Sequence, residues 1–135
     1  MKYVDSNVFI LPIVYDAEVE SKAKSAKSVL IKIADGDLNA ATSLLTWDEI
    51  VWVVRKLNSL NVAIKEGGKF LQFPNLELLE VKGSVISKAQ EIVEKYGIKP
   101  RDAIHVASAI ENGIKEIISD DSDLDIIKEI TRVSL

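Results

Sequence analysis

The sequence predicts an α/β protein of three layers, α/β/α, around a central and mainly parallel sheet. Short apolar runs alternate along the chain with longer segments of helical period. Strands separated by helices need crossover connections, which join parallel strands and cover both faces of a sheet. The 135 residues suit a single domain, 1–135, and the 47% hydrophobic content supplies its core.

Five short apolar runs are predicted as strands. The first run ends at Asp5. The third begins shortly after Pro74, since proline typically marks a turn or loop between elements. The predicted strands cover residues 2–4, 38–42, 76–81, 116–119 and 131–135.

Five longer segments are predicted as helices. In the first, apolar residues from Val19 to Ile33 recur at helical spacing, with lysines largely off that face. Gly97 is a typical helix end and Pro100 a typical first helical residue. The predicted helices cover residues 18–35, 47–57, 61–73, 85–96 and 100–112.

Composition excludes several classes of function. The chain has no cysteine, which rules out disulfides and thiolate chemistry, and a single histidine, which rules out ordinary structural zinc sites. The apolar stretch 8–15 is too short to span a bilayer. We therefore expect a cytoplasmic protein that is not membrane-bound. The net charge of −4 argues against nucleic acid unless the acids are concentrated in one place.

Acidic residues stand at positions where a site would form. Asp5 follows the first strand and the run of aspartates from Asp120 follows the fourth, so both belong at the carboxyl edge of a parallel sheet. Glu49 lies near the start of a largely buried helix. Asp102 lies in the first turn of a helix that is apolar nearly all round.

Each acid also has a structural explanation. Asp5 can cap a helix, Thr46 and Glu49 match a capping box, and Asp102 is favoured by the helix dipole. Residues 122–125 can cap a short helix, with Asp125 at its solvated start.

One shared site explains the acids together. Converging carboxylates without a basic partner cannot all stay ionised at close range, and a hard cation such as Mg²⁺ or Mn²⁺ relieves their repulsion. Such ions typically promote phosphoryl transfer.

Other motifs fail. An EF-hand loop starting at Asp121 would need Gly at Ile126 and Glu at Arg132, and the GGKF segment lacks two residues of a phosphate loop. His105 is expected to be a hydrogen-bonded packing residue, with a supporting role beside Asp102 left open.

The segments YVDSNVFI, WDEI, PRDAIHVASAI and IISDDSDLD, in this order, resemble those of PIN-domain ribonucleases. The resemblance covers essentially the whole chain and is strongest to the small VapC-type toxins of toxin–antitoxin pairs. It implies a doubly wound fold, a site dependent on Mg²⁺ or Mn²⁺, and cleavage of single-stranded RNA.

Matched to the family's motifs, four residues are the implied catalytic acids and metal ligands: Asp5, Glu49, Asp102 and Asp121. Asp123 is implied as an auxiliary ligand, and the implied supporting residues are Ser6, Asn7 and Ser119. Leu124 replaces the aromatic residue that usually ends the last motif, and Asp120 adds an acid beside it. Asp121 is preferred to Asp120 by register alone.

The resemblance also implies partners. An antitoxin chain would block the site, and such enzymes commonly form homodimers. Apolar helix faces around Trp47 and Trp52 are candidate contacts, although core packing is the competing expectation for at least one tryptophan. Lysines at 22, 24, 27, 65 and 69 and Arg101 are candidates for an RNA path.

Two other functions stay open. A haloacid-dehalogenase-like phosphatase would use Asp5 as nucleophile, but its second aspartate is replaced here by Asn7. A non-catalytic PIN-fold module would bind RNA or protein. Without the five implied ligands the formal charge of −4 would become +1, so the acidity of the chain does not exclude RNA.

Overall fold

The computed structural model describes residues 1–135, and its five strands form one sheet in which every pairing is parallel. The order across the sheet is β3-β2-β1-β4-β5. The strands are β1 (Lys2–Val4), β2 (Ala40–Ser43), β3 (Leu76–Leu79), β4 (Glu116–Ile118) and β5 (Thr131–Val133). The predicted mainly parallel sheet is confirmed.

Six α-helices cover the two faces of this sheet, which confirms the predicted three layers. They are α1 (Ser6–Val14), α2 (Ser21–Ala34), α3 (Leu45–Leu57), α4 (Leu60–Leu71), α5 (Gly83–Tyr96) and α6 (Pro100–Glu111). The first four pack on one face around a core that includes Val8, Ile50 and Phe70. Helices α5 and α6 pack on the other face around Tyr3, Val106 and Ile117. No helix is long and apolar enough to cross a membrane.

Helix α1 has no counterpart among the predicted helices. Its residues are apolar on nearly every side, and Pro12 stands inside it, so no helical period is visible in the sequence. The helix is defined at its start by Asp5, whose side chain accepts a hydrogen bond from the amide of Ser6. The structural explanation of Asp5 as a cap is therefore correct.

The capping box predicted at Thr46 and Glu49 is wrong. Helix α3 begins at Leu45, whose amide donates to the Ser43 hydroxyl at 3.0 Å, and neither Thr46 nor Glu49 caps it. The Thr46 hydroxyl lies instead 2.7 Å from the Thr42 hydroxyl on β2. The first turn of α3 is packed against the sheet, so the side chains of Thr46 and Glu49 do not cap the helix. The Glu49 side chain contacts His105 instead.

The remaining element boundaries differ from prediction by a few residues. Gly97 ends α5 with a positive φ of 67°, and Pro100 begins α6, as expected. Residues Ser122–Ile126 form a 3-10 helix after β4.

The sheet brings the two motif-bearing strands together. β1 lies beside β4 with Val4 opposite Ile118, and the amide of Asp5 donates to the carbonyl of Ile118 at 3.0 Å. Asp5 and Ser119 are therefore neighbours at the carboxyl edge, although 114 positions separate them in the chain.

Candidate active site

The Asp5 carboxylate lies buried in a ring of hydrogen-bond donors. The Ser6 amide donates to Oδ1 at 2.7 Å, and the Ser119 hydroxyl donates to Oδ2 at 2.6 Å. The Asn7 side-chain amide donates to Oδ2 at 3.3 Å. Only 6% of the Asp5 side chain is exposed, so these donors replace water around a charge that would otherwise be costly to bury. All three predicted supporting residues contact Asp5.

Ser119 links β4 to the following loop. Its hydroxyl gives its proton to Asp5 and accepts from the Asn7 side chain at 3.1 Å and from the Asp121 amide at 3.0 Å. The Asn7 side-chain oxygen accepts from the Asp120 amide at 3.3 Å. The start of α1 and the aspartate loop are thus joined by one network.

Glu49 reaches the same edge from α3. Its carboxylate contacts Nε2 of His105, and that nitrogen also lies 3.7 Å from Oδ1 of Asp5. Burial opposes a charge on His105, but the hydrogen bond to Glu49 and the nearby acids outweigh it, so the pKa of His105 lies above its ordinary value.

Asp102 completes the group from the first turn of α6. Burial is the main cause that raises the pKa of its carboxyl to about 6, followed by repulsion from Asp5 and Asp121, with a smaller contribution from Glu49. His105 opposes the rise. The four predicted acids therefore lie close enough to act on one another.

The aspartate loop divides its charges between two uses. Asp120 lies 3.2 Å from the Lys22 ammonium, and Asp125 forms a two-bond ion pair with Arg132 at 2.7 and 3.1 Å. The sequence predicted that Asp125 would be solvated at a helix start, but it pairs with the Arg132 guanidinium instead. Asp121 caps the 3-10 helix by accepting from the Asp123 amide at 2.9 Å.

Asp123 is the one predicted ligand that is exposed. It lines a cleft of 330 Å³ with Asp102 and Ser122, beside the turn between α5 and α6. That cleft gives solvent a route to Asp102.

The protein also has a cavity larger than this cleft. A groove of 760 Å³ runs between α1, α2 and α4, and no predicted acid lines it. Phe9, Phe70 and Phe73 form part of its wall, with the rings of Phe9 and Phe70 edge to face at 5.3 Å. Lys27 and Lys69 line this groove rather than the acid site, and Arg101 lies 3.5 Å from Asp48.

The site fits a divalent cation by charge and donor chemistry, although not as a finished cage. No three histidine, aspartate or glutamate side chains have the spacing to hold a metal ion as they lie. The donors are carboxylate oxygens, which hard cations prefer. Neither lysine nor arginine forms an ion pair with Asp5, Glu49, Asp102 or Asp121. A cation that draws these side chains inward would remove the repulsion that raises the pKa of Asp102.

Sequence reasoning missed Tyr3 and Arg132. The Tyr3 hydroxyl lies 2.5 Å from Nδ1 of His105, and Arg132 donates to the Ser119 carbonyl at 3.0 Å while it holds Asp125. A hydroxyl inside the apolar strand β1 was the available signal for Tyr3. Arg132 gave no signal, because only the pairing of β4 with β5 brings it to the loop.

Comparisons with known proteins agree with this fold. The profile of the PIN domain family matches residues 2–130. Among curated proteins, none matches the chain in sequence.

Solved structures with the same fold are toxin–antitoxin proteins. VapC20 of Mycobacterium tuberculosis, a sarcin–ricin loop cleaving toxin, is 14% identical with a TM-score of 0.76, over 95% of each chain. VapBC2 of Rickettsia felis, bound to a promoter DNA fragment, is 17% identical with a TM-score of 0.73, over 99% of this chain and 98% of that one. FitAcB of Neisseria gonorrhoeae is 16% identical with a TM-score of 0.70, over 98% and 96%.

We predict that Asp102→Asn stabilises the protein when chelator removes divalent cations. The raised pKa means that the folded state binds a proton more readily than the unfolded state, whose aspartate has a pKa near 3.8. The charge on Asp102 therefore costs stability above about pH 6, and that cost disappears as the pH falls towards 4. At pH 7.5 we expect a gain of about 1 kcal/mol in the free energy of unfolding, after allowance for solvent screening.

Urea denaturation at several pH values measures this gain. Asp123→Asn is the matched control, because Asp123 is an exposed carboxylate on the adjoining 3-10 helix. An equal gain in both variants, or a gain for Asp102→Asn that persists at pH 4, would contradict mutual repulsion at Asp102.

Proposed function

Because this chain belongs to the PIN domain family, we propose that it is a divalent-metal-dependent endoribonuclease that cleaves single-stranded RNA, as the toxin of a toxin–antitoxin pair. The observation that carries the proposal is the meeting of β1 and β4 at one sheet edge, where Ser6, Asn7 and Ser119 all donate to the buried Asp5 carboxylate. In support, burial raises the pKa of Asp102 to about 6, and repulsion from Asp5, Asp121 and Glu49 adds to that rise.

We propose that Asp5, Glu49, Asp102 and Asp121 hold Mg²⁺ or Mn²⁺, with Asp123 in an auxiliary role. When bound, such an ion supplies an activated water and stabilises charge on a phosphodiester. The chain's own part is positioning. Donors from Ser6, Asn7 and Ser119 hold Asp5 in one orientation.

Asp102 and Asp121 are held differently from Asp5. Asp102 is half-buried at the start of α6, beside the cleft that opens to solvent. Asp121 is tied to the 3-10 helix through its side chain and to Ser119 through its amide.

The purified protein is expected to cleave single-stranded RNA with Mg²⁺ or Mn²⁺, and not with chelator. Asp5→Asn and Asp102→Asn should each lower the rate at least about 100-fold, because each removes a carboxylate that the charge on the ion requires. Asp125→Asn is the matched control, since Asp125 lies on the same loop but pairs with Arg132. Cleavage on denaturing gels measures the rates.

A rate for Asp5→Asn equal to that of the wild type would sink this proposal. Activity that survives chelation would contradict the metal requirement. Any inhibitor that co-purifies has to be removed first, by denaturation and refolding.

An antitoxin is the first partner that we propose. The 760 Å³ groove and the acid site share two helices, because Ile50 in the groove wall follows Glu49 on α3 and Phe9 lies on α1, which Asp5 caps. A chain with an apolar segment in this groove could extend a basic side chain to the acids. Co-expression with the product of an adjacent reading frame tests this, and cleavage that is unchanged by that product would count against it.

A second copy of the chain is the other partner that we propose. Both tryptophans are exposed on α3, Trp47 by 42% and Trp52 by 60%, so core packing does not explain either. Ile64 and Leu71 on α4 add further exposed apolar surface to this pair of helices. Exposed apolar patches of this kind mark interfaces. A mass near 14.9 kDa by light scattering would contradict dimerisation.

A further inference from the structure

A buried hydrogen-bond chain connects the backbone of β2 to Glu49. The Ser43 amide donates to the Tyr3 hydroxyl at 3.0 Å, and that hydroxyl lies 2.5 Å from Nδ1 of His105. Nε2 of His105 contacts the Glu49 carboxylate. Tyr3 and Ser43 are fully buried and His105 is 1% exposed, so water does not compete along the chain.

The Ser43 amide can only donate, so the hydroxyl of Tyr3 accepts there. The hydroxyl can donate its own proton to Nδ1 of a neutral His105 ring, whereas a charged ring would donate from Nδ1 to the hydroxyl. A neutral ring that accepts at Nδ1 carries its proton on Nε2, and a charged ring carries protons on both nitrogens. In either state Nε2–H donates to Glu49.

Glu49 depends on this contact. The hydrogen bond from His105 is the only one that its side chain makes, and 17% of that side chain is exposed. Asp5, by contrast, is held by three residues. Without His105, nothing but packing would choose among the rotamers of a glutamate with three rotatable bonds.

We propose that His105 is a positioning residue that holds Glu49 at the acid site, with Tyr3 holding His105 in turn. This rests on the proposed function only where Glu49 is taken as a metal ligand. Since both ring nitrogens are engaged inside the protein, His105 neither binds the cation nor takes a proton from water. The sole histidine of the chain therefore belongs to the site through Glu49.

The geometry of the bond predicts which substitutions are tolerated. His105→Gln keeps an N–H donor near the place of Nε2, whereas the side chain of His105→Asn is too short to reach Glu49. Partners that orient a metal ligand typically contribute 10- to 100-fold in metal affinity. We therefore expect His105→Asn to weaken Mn²⁺ binding about 10-fold or more, and His105→Gln to weaken it by less than about threefold.

Calorimetry with Mn²⁺ alone measures these affinities, and a double-mutant cycle separates positioning from general damage. In a Glu49→Ala background, His105→Asn should cause no further loss, because the group that it positions is gone. An equal loss in both backgrounds would overturn the proposal, as would Mn²⁺ affinity unchanged by His105→Asn in the wild-type background.

A second measurement needs neither metal nor activity. Because His105 is the only histidine, the ring nitrogens of ¹⁵N-histidine-labelled protein give unambiguous NMR signals. Nε2 should be protonated, and its signal should shift in Glu49→Ala and stay in place in Asp123→Ala. A bare Nε2 with a protonated Nδ1, or a signal indifferent to Glu49→Ala, would overturn the proposal.

The two measurements keep this proposal apart from the proposed function. If the wild-type protein does not bind Mn²⁺, the proposed metal site is wrong. The NMR signals would still show whether His105 donates to Glu49. If His105→Asn does not fold, Tyr3→Phe removes one hydroxyl from the same chain and should shift the same NMR signal. An unshifted signal in Tyr3→Phe would contradict the part assigned to Tyr3.

Discussion

Repulsion among carboxylates at one sheet edge is the interaction on which the rest of the site depends. Parallel strands end at the same edge, so Asp5 after β1 and the loop after β4 are neighbours by topology. Helices α3 and α6 then add Glu49 and Asp102. The fold provides the acids with hydrogen-bond donors but with no lysine or arginine. Burial raises the pKa of Asp102, and repulsion from Asp5 and Asp121 raises it further.

Acids beside the site are treated differently. Asp120 and Asp125 are each neutralised by a basic residue from elsewhere in the chain, and the ion pair of Asp125 with Arg132 also fastens the Ser119 carbonyl. Lys22 and Arg132 therefore neutralise Asp120 and Asp125. Asp121 has no such basic partner and raises the pKa of Asp102. This division supports Asp121 over Asp120 as the fourth acid, which register alone had suggested.

Much of the fold could be predicted because the alternation of strands with helices along the chain and the period of the helices are local signals. The alternation of apolar runs and amphipathic segments indicates the parallel sheet, and Gly97 and Pro100 mark the ends of α5 and α6. Helix α1 was not predicted, because it is apolar on nearly every side and contains Pro12. The capping box at Thr46 failed because Thr46 contacts Thr42 at the end of β2 and Glu49 contacts His105, which is 56 residues away in the chain. The roles of Tyr3 and Arg132 also depend on tertiary contacts, since Tyr3 meets His105 across 102 residues and the pairing of β4 with β5 brings Arg132 to the loop.

Anomalous diffraction from crystals grown with Mn²⁺ can decide whether the four acids form the one cation site that we propose. We expect a peak within direct coordination distance, about 2.0–2.3 Å, of carboxylate oxygens from Asp5 and Asp102, with Glu49 or Asp121 nearby. In crystals of Asp5→Asn the peak should weaken or vanish. A peak bound elsewhere, or an acid cluster that stays free of Mn²⁺ at saturating concentration, would show that the acids do not form this site.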